Sequence, residues 1–384
     1  MQVPSRFDPI RPIEPEEIGQ ALASLAADPL FLAALASLPA TGAPALTPEA
    51  IRAAIPAVRT NLDFQKTFIY PLVEQLAARL TTGLTIDADA IADKAQPHTF
   101  ISNHRDIVLD SALLAFLLIG AGFPDTVEIA IGDNLLAYPW IETLVRLNKA
   151  FIVRRGLSLR ETLAASRLLG EYMHFAVTAK RQNIWIAQRE GRAKDSNDRT
   201  QEALLKMMCM GGEGAPADRI AALGLTPLSI SYEYDPCDYL KAKEFQQKRD
   251  NPAHKKSRQD DLDNMRTGIF GYKGQVYYHI AAPLDAWLAS HRDLPKADFF
   301  PALARHIDRE IHRNYRIYAT NRIALDLLDG THLGGYTDAE RAAFEKYVQS
   351  RVALVDLPNA DAPFLTERIL TMYANPLRNQ LAAQ

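Results

Sequence analysis

The sequence predicts an α/β protein: a mixed, mostly parallel sheet covered by helices, with helical additions at both ends. Three observations predict it. From residue 84 onward, short apolar runs alternate with longer helical patterns. Residues 1–83 carry apolar side chains at helical spacing. The helical pattern returns after Pro283. The expected organisation is therefore a helical segment over 1–83, an α/β domain over 84–285 and a helical segment over 286–384.

In chain order, Glu16 to Leu38 reads as helix interrupted at Asp28-Pro29. Pro39 to Pro48, with Gly42 and Pro44, reads as a linker or exposed loop. Phe64, Phe68, Leu72, Leu76 and Leu80 form one helix stripe, in which Pro71 predicts a kink. Strands are expected at Leu84–Ile86, Thr99–Ser102, Thr126–Ile131, Ala150–Val153, Asn183–Ala187, Thr226–Tyr232 and Gln275–Ile280. The helices expected between them are Asp110–Ile119, Ile141–Leu147, Leu159–Ala179 and Thr200–Met207. Phe299–Leu328, Asp338–Ala353 and Thr366–Ala383 follow as helices, with Gly330, Gly334 and Gly335 marking a turn.

With 384 residues, the chain is long enough for two domains or one enlarged domain, and its apolar fraction of 48% supplies a core. A net charge of −3 argues against a generally basic nucleic-acid-binding surface. Two cysteines build neither a disulfide framework nor a four-cysteine zinc site. Arg6, Asp8, Arg11, Glu14, Glu16 and Glu17 fall where a secretory signal needs an apolar core, so a reducing cytoplasm is expected. The apolar run Ser111–Phe123 is too short to span a bilayer, which leaves peripheral attachment open.

Charge is unevenly placed. Residues 1–98 carry 7 basic and 11 acidic side chains, whereas residues 146–206 carry 13 basic and 6 acidic. Lys241 to Arg258 adds 7 basic against 2 acidic. A basic middle in an acidic chain points to an anionic ligand, acidic partner or anionic surface. The plainer reading of the 241–258 run is a solvated helical face.

Four segments carry chemistry. In Phe100–Asp110, an apolar strand runs into Ser102-Asn103-His104 and a helix begins just beyond. A neutral imidazole there can take a proton from a hydroxyl, with Asp106 or Asp110 fixing its tautomer. The competing reading is a capping cluster, in which Asn103, Asp106 and Asp110 satisfy helix-end amides. In Asn148–Gly156, a strand delivers Arg154 and Arg155 to a turn, a placement suited to phosphate. In Asn183–Lys194, a strand runs into Glu190, Gly191, Arg192 and Lys194, a mixed-charge turn fit for a polar anionic head group. Thr226–Glu233 is an apolar strand that by itself says only core.

The order of these four segments resembles the glycerol-phosphate and lysophosphatidate acyltransferase superfamily. Its blocks are written NHxSxxD, FxxR, EGxR and an apolar strand opening with proline. The resemblance spans roughly residues 84–285, and Asp8 to Pro12 resembles a bacterial subgroup described as 1-acylglycerol-3-phosphate acyltransferases. It implies His104 as general base, Arg154 at the acceptor phosphate, Glu190, Gly191 and Arg192 as the acceptor site, and a structural role for Pro227. Two departures stand out. Five residues separate His104 from Asp110 where the family has four, which turns a helical side chain by about 100°. Glu190-Gly191-Arg192 also lacks the residue between glycine and arginine, which would let Lys194 share the phosphate.

The expectation is direct acyl transfer from acyl carrier protein or acyl-CoA to a lysophospholipid or glycerol phosphate, without metal or organic cofactor. No Gly-x-Ser-x-Gly elbow suggests a covalent intermediate. The enzyme would sit peripherally on the inner face of the cell membrane, held to anionic lipid by basic residues. Rival readings keep the chemistry but use another lipid hydroxyl, such as an acylated amino acid, or keep only lipid or carrier binding.

Overall fold

The computed structural model describes residues 2–36 and 47–384. Residues 39–46 of the expected linker lie outside the described residues. Pro48 instead opens a helix, Pro48–Ala54, capped by the Thr47 hydroxyl.

Among the described residues, seven strands form one sheet: β1 (Thr81–Asp87), β2 (Thr99–Ser102), β3 (Val127–Gly132), β4 (Ala150–Val153), β5 (Asn183–Ala187), β6 (Leu225–Tyr232) and β7 (Gly274–Ile280). Their order is β1-β7-β6-β2-β5-β3-β4. Only the β6–β7 pair is antiparallel, so the sheet is mixed and mostly parallel. Each expected strand is present, and β1 extends beyond its expected core of Leu84–Ile86.

Helices cover both faces. Leu109–Gly120 packs its leucines against Phe100, Val127, Trp185 and Leu228 on one side. On the other, Leu159–Thr178 and Lys296–Arg313 enclose Ile101, Phe151, Ile184 and Leu225. The apolar run Ser111–Phe123 is thus core, with Leu113, Leu114, Leu118 and Phe123 buried. The chain start seals the edge of the sheet: Ile152 N of β4 donates to Ile10 O at 2.9 Å, and Phe7 packs edge-on against Tyr172.

Three expectations need correction. The break near Pro71 is not a simple kink: the helix widens to a π turn over Gln65–Ile69 before Tyr70–Leu80, because proline has no N–H to continue the ladder. The span Phe299–Leu328 is two helices, Lys296–Arg313 and Ala319–Asp329. Between them, Arg316 N donates to Ser231 Oγ at 3.0 Å and Gln380 Nε2 donates to Tyr315 O at 2.6 Å. Those partners take backbone groups that a continuous helix would pair internally. Finally, Lys241–Arg258 is not one solvated face. Lys241 is buried against Asp235, on a helix Asp238–Asp250 that ends before the run does.

Candidate active site

β2, β3, β4 and β5 run parallel, so the segments that follow them emerge at one edge of the sheet. In open α/β sheets that edge is where ligands bind. His104 follows β2, Arg154 and Arg155 follow β4, and Glu190 to Lys194 follow β5.

The His104 turn is held from both sides. Asn103 is buried, but it caps no helix. Its side-chain amide donates to Ile230 O at 2.8 Å and accepts from Ile230 N at 2.9 Å, as a strand residue would. Trp185 Nε1 donates to Ser102 Oγ at 3.0 Å, and the Trp185 ring meets the His104 ring edge-on with centroids 5.4 Å apart. Trp185 had no assigned role in the sequence reading. Only its place in the Asn183–Lys194 segment hinted at one.

The five-residue spacing is absorbed by the turn. The helix starts at Leu109, so Asp110 sits in its first turn facing back over the loop. Asp110 Oδ2 accepts from His104 Nδ1 at 2.8 Å, Arg105 N at 2.6 Å and Asp106 N at 3.0 Å. A carboxylate only accepts, so Nδ1 carries the proton and, in the neutral ring, Nε2 keeps its lone pair. Asp110 is fully buried, while the His104 side chain keeps 14% of its surface open. Tyr278 donates to Asp110 O at 2.9 Å from β7.

Asp106 takes the capping task instead. Its Oδ1 accepts from Val108 N at 2.9 Å and Leu109 N at 2.8 Å, so Asp110 rather than Asp106 orients the imidazole. Burial, reinforced by the Asp110 charge, pushes the Asp106 carboxyl above its usual range.

The predicted acceptor residues are only partly brought together. Arg155 Nη1 lies 3.6 Å from Glu190 Oε1, and Arg155 N donates to Asp133 Oδ1. Gly191 adopts φ +67°, a left-handed turn that glycine makes without strain. Arg154 is exposed. Arg192 turns inward, where its Nη2 donates to Asn264 Oδ1 at 3.0 Å. Lys194 pairs with buried Glu244, which Lys248 also contacts at 2.9 Å and Lys256 at 3.7 Å. Burial lowers the Lys194 ammonium to about 8, with Lys248 and Lys256 adding repulsion against the pull of Glu244. Pro227 lies within β6, opposite Ile101 of β2.

No protein-family model and no curated protein matches the chain. Among solved structures, it is similar to the 1-acyl-sn-glycerophosphate acyltransferase PlsC from Thermotoga maritima. The identity is 10% and the TM-score 0.40, over 77% of this chain and 97% of that one.

Proposed function

We propose that the protein is an O-acyltransferase that moves a fatty acyl group from a thioester donor to a lipid or glycerol-phosphate hydroxyl. The observation that carries this reading is the His104 Nδ1–Asp110 Oδ2 contact of 2.8 Å on a ring that is partly exposed. The order of the four segments along the sequence supports it.

In the proposed step the acceptor hydroxyl gives its proton to His104 Nε2 as its oxygen bonds to the thioester carbonyl carbon. The carbon–sulfur bond then breaks, and the imidazolium returns the proton to the departing thiolate. Asp110 stabilises the imidazolium through Nδ1. The donor is acyl carrier protein or a CoA thioester, and the preferred acceptor is 1-acylglycerol 3-phosphate, its phosphate drawn by Arg154, Arg155 and Lys194.

One observation favours a second acceptor class. Arg192, which the resemblance assigns to the phosphate, is partly buried and spends its Nη2 on Asn264. A weaker phosphate clamp suits a hydroxyl on an acylated amino acid or similar lipid. Mass spectrometry of products from an acyl donor and a panel of lysophosphatidate, glycerol 3-phosphate and a hydroxy-lipid separates the two. His104→Ala, folded but inactive, is the expected control. Transfer retained by that variant would overturn the mechanism.

A further inference from the structure

The helix Leu159–Thr178 is longer than the sheet it covers. Its 20 residues extend about 30 Å at ~1.5 Å per residue. The four and five residues of β4 and β5 cover only about 13–17 Å at ~3.3 Å each. Because the helix leaves β4 through the Gly156 turn, the surplus overhangs the sheet edge from which His104 emerges.

The tip shows this overhang residue by residue. Leu159, Arg160, Glu161, Thr162, Leu163 and Ala164 are all exposed, so no face of the first six helical positions is packed. Burial resumes only at Leu169. Leu159 is 90% exposed and Leu163 61%, one turn apart on the same face. Ser158 closes a capping box with Glu161, so the tip is a formed helix end. Arg160 and Glu161 stand on the tip, and Arg154 follows the end of β4 before it, all three exposed.

We propose that this tip is a membrane-docking element that seats the His104 edge on an anionic bilayer, Leu159 and Leu163 entering the acyl boundary and the arginines meeting lipid phosphates. Two leucines that protrude from a helix tip with exposed Arg160 on it and exposed Arg154 at the end of the preceding strand match the depth and charge of an interface. A protein partner would be expected to meet a broader, flatter patch. In the N-terminal helices Ile18–Ala27 and Pro29–Ala36, Ile18, Leu22, Leu25 and Phe31 are buried against one another and Leu147, which leaves Leu30 as the single large apolar side chain exposed on their described residues, against two at the tip. The inference deepens the acyltransferase reading by naming the surface that brings lipid to the site, but vesicle binding does not depend on that chemistry.

The test is co-sedimentation of the full chain with phosphatidylcholine vesicles, with and without phosphatidylglycerol. Wild-type protein is expected to bind the anionic vesicles, more weakly as salt rises. Leu159→Asp with Leu163→Asp should weaken binding at least about tenfold, and Arg160→Ala should flatten the salt dependence. His104→Ala should bind like wild type and lose transfer, so a failed docking surface and a failed acyltransferase reading give different results. Unchanged binding by the double leucine variant would overturn the proposal. So would a wild-type protein that ignores vesicles. If that protein also loses transfer from a carrier-linked donor in the leucine variant, the tip docks the carrier instead.

Discussion

Gly268 lies directly against Asp106. A methyl group on Gly268 would overlap Asp106 Oδ2 and stand 3.0 Å from Asp106 Cγ. Gly268 itself has little freedom, since Lys273 Nζ donates to its carbonyl at 2.6 Å and to that of Gly271 at 2.7 Å. Asp106 is equally pinned, because it caps the helix that carries Asp110. Gly268→Ala should therefore cost about 1–3 kcal/mol, the usual range for overpacking, and reduce transfer as well by displacing the His104 turn. Asp106→Ala should cost about 1–2 kcal/mol through the lost cap, whereas Asp106→Asn keeps an acceptor for the two amides and should cost less. Urea midpoints at constant slope would check all three.

Replacing Asp110 separates geometry from charge. An asparagine can still accept from the amides of Arg105 and Asp106, but it cannot stabilise an imidazolium. In the best-studied triads a similar change lowers kcat about 10⁴-fold. Asp110→Asn should cut kcat by roughly 10³ to 10⁴ on that precedent, with little change in KM. Steady-state kinetics measure both, and a loss under tenfold would leave the imidazole acting without its carboxylate.

The strands were legible because Phe100-Ile101, Phe151-Ile152 and Ile184-Trp185 are unbroken apolar runs, as strands buried on both faces must be. The helices Asp238–Asp250 and Arg258–Phe270 were not, since neither carries an apolar stripe. They are held by polar burial instead: Lys241 on Asp235, Glu244 among three lysines, Asn264 on Arg192. Such pairings join residues far apart in sequence and leave no periodic trace. The same limit applies to the site. His104 and Asp110 lie within one turn and could be paired from the sequence, with Asp106 as the competing choice. The inward course of Arg192 depends on Asn264, 72 residues away.

Lys194 supplies a pH dependence. Its ammonium, lowered to about 8 chiefly by burial, is charged below that pH and neutral above it. If it helps hold an acceptor phosphate, KM for lysophosphatidate should rise between about pH 7.5 and 9, within a unit of that value. Lys194→Met should raise KM at pH 7 and remove that rise. The effect on folding has the same origin. A lysine with a lowered folded-state pKa is easier to protonate unfolded, so the contribution of Lys194 to stability, read as wild type against Lys194→Met, should increase as pH climbs from about 8 toward the ordinary lysine value near 10.4.

Arg105, beside the catalytic candidate, is tied to the segment after β5 by a buried ion pair: its Nη1 lies 3.0 Å from Asp198 Oδ2, with the Tyr315 ring 5.6 Å from the guanidinium. Removing one partner strands the other charge, which in buried pairs costs about 3–5 kcal/mol. Asp198→Ala and Arg105→Met should each fall in this range, while the double variant Arg105→Met with Asp198→Leu should cost far less than their sum. Burial already raises the Asp198 carboxyl in the wild type despite Arg105, and without Arg105 it should rise further. A carboxyl with a raised folded-state pKa binds its proton more tightly when folded. The single variant Arg105→Met should then come closest to wild-type stability near pH 4, around the unfolded aspartate value of ~3.9, and fall behind as pH rises through the folded value. Denaturant unfolding at pH 4.5 and 7.5 checks this. A gap that is constant across that interval would mean that Asp198 finds another partner when Arg105 is removed.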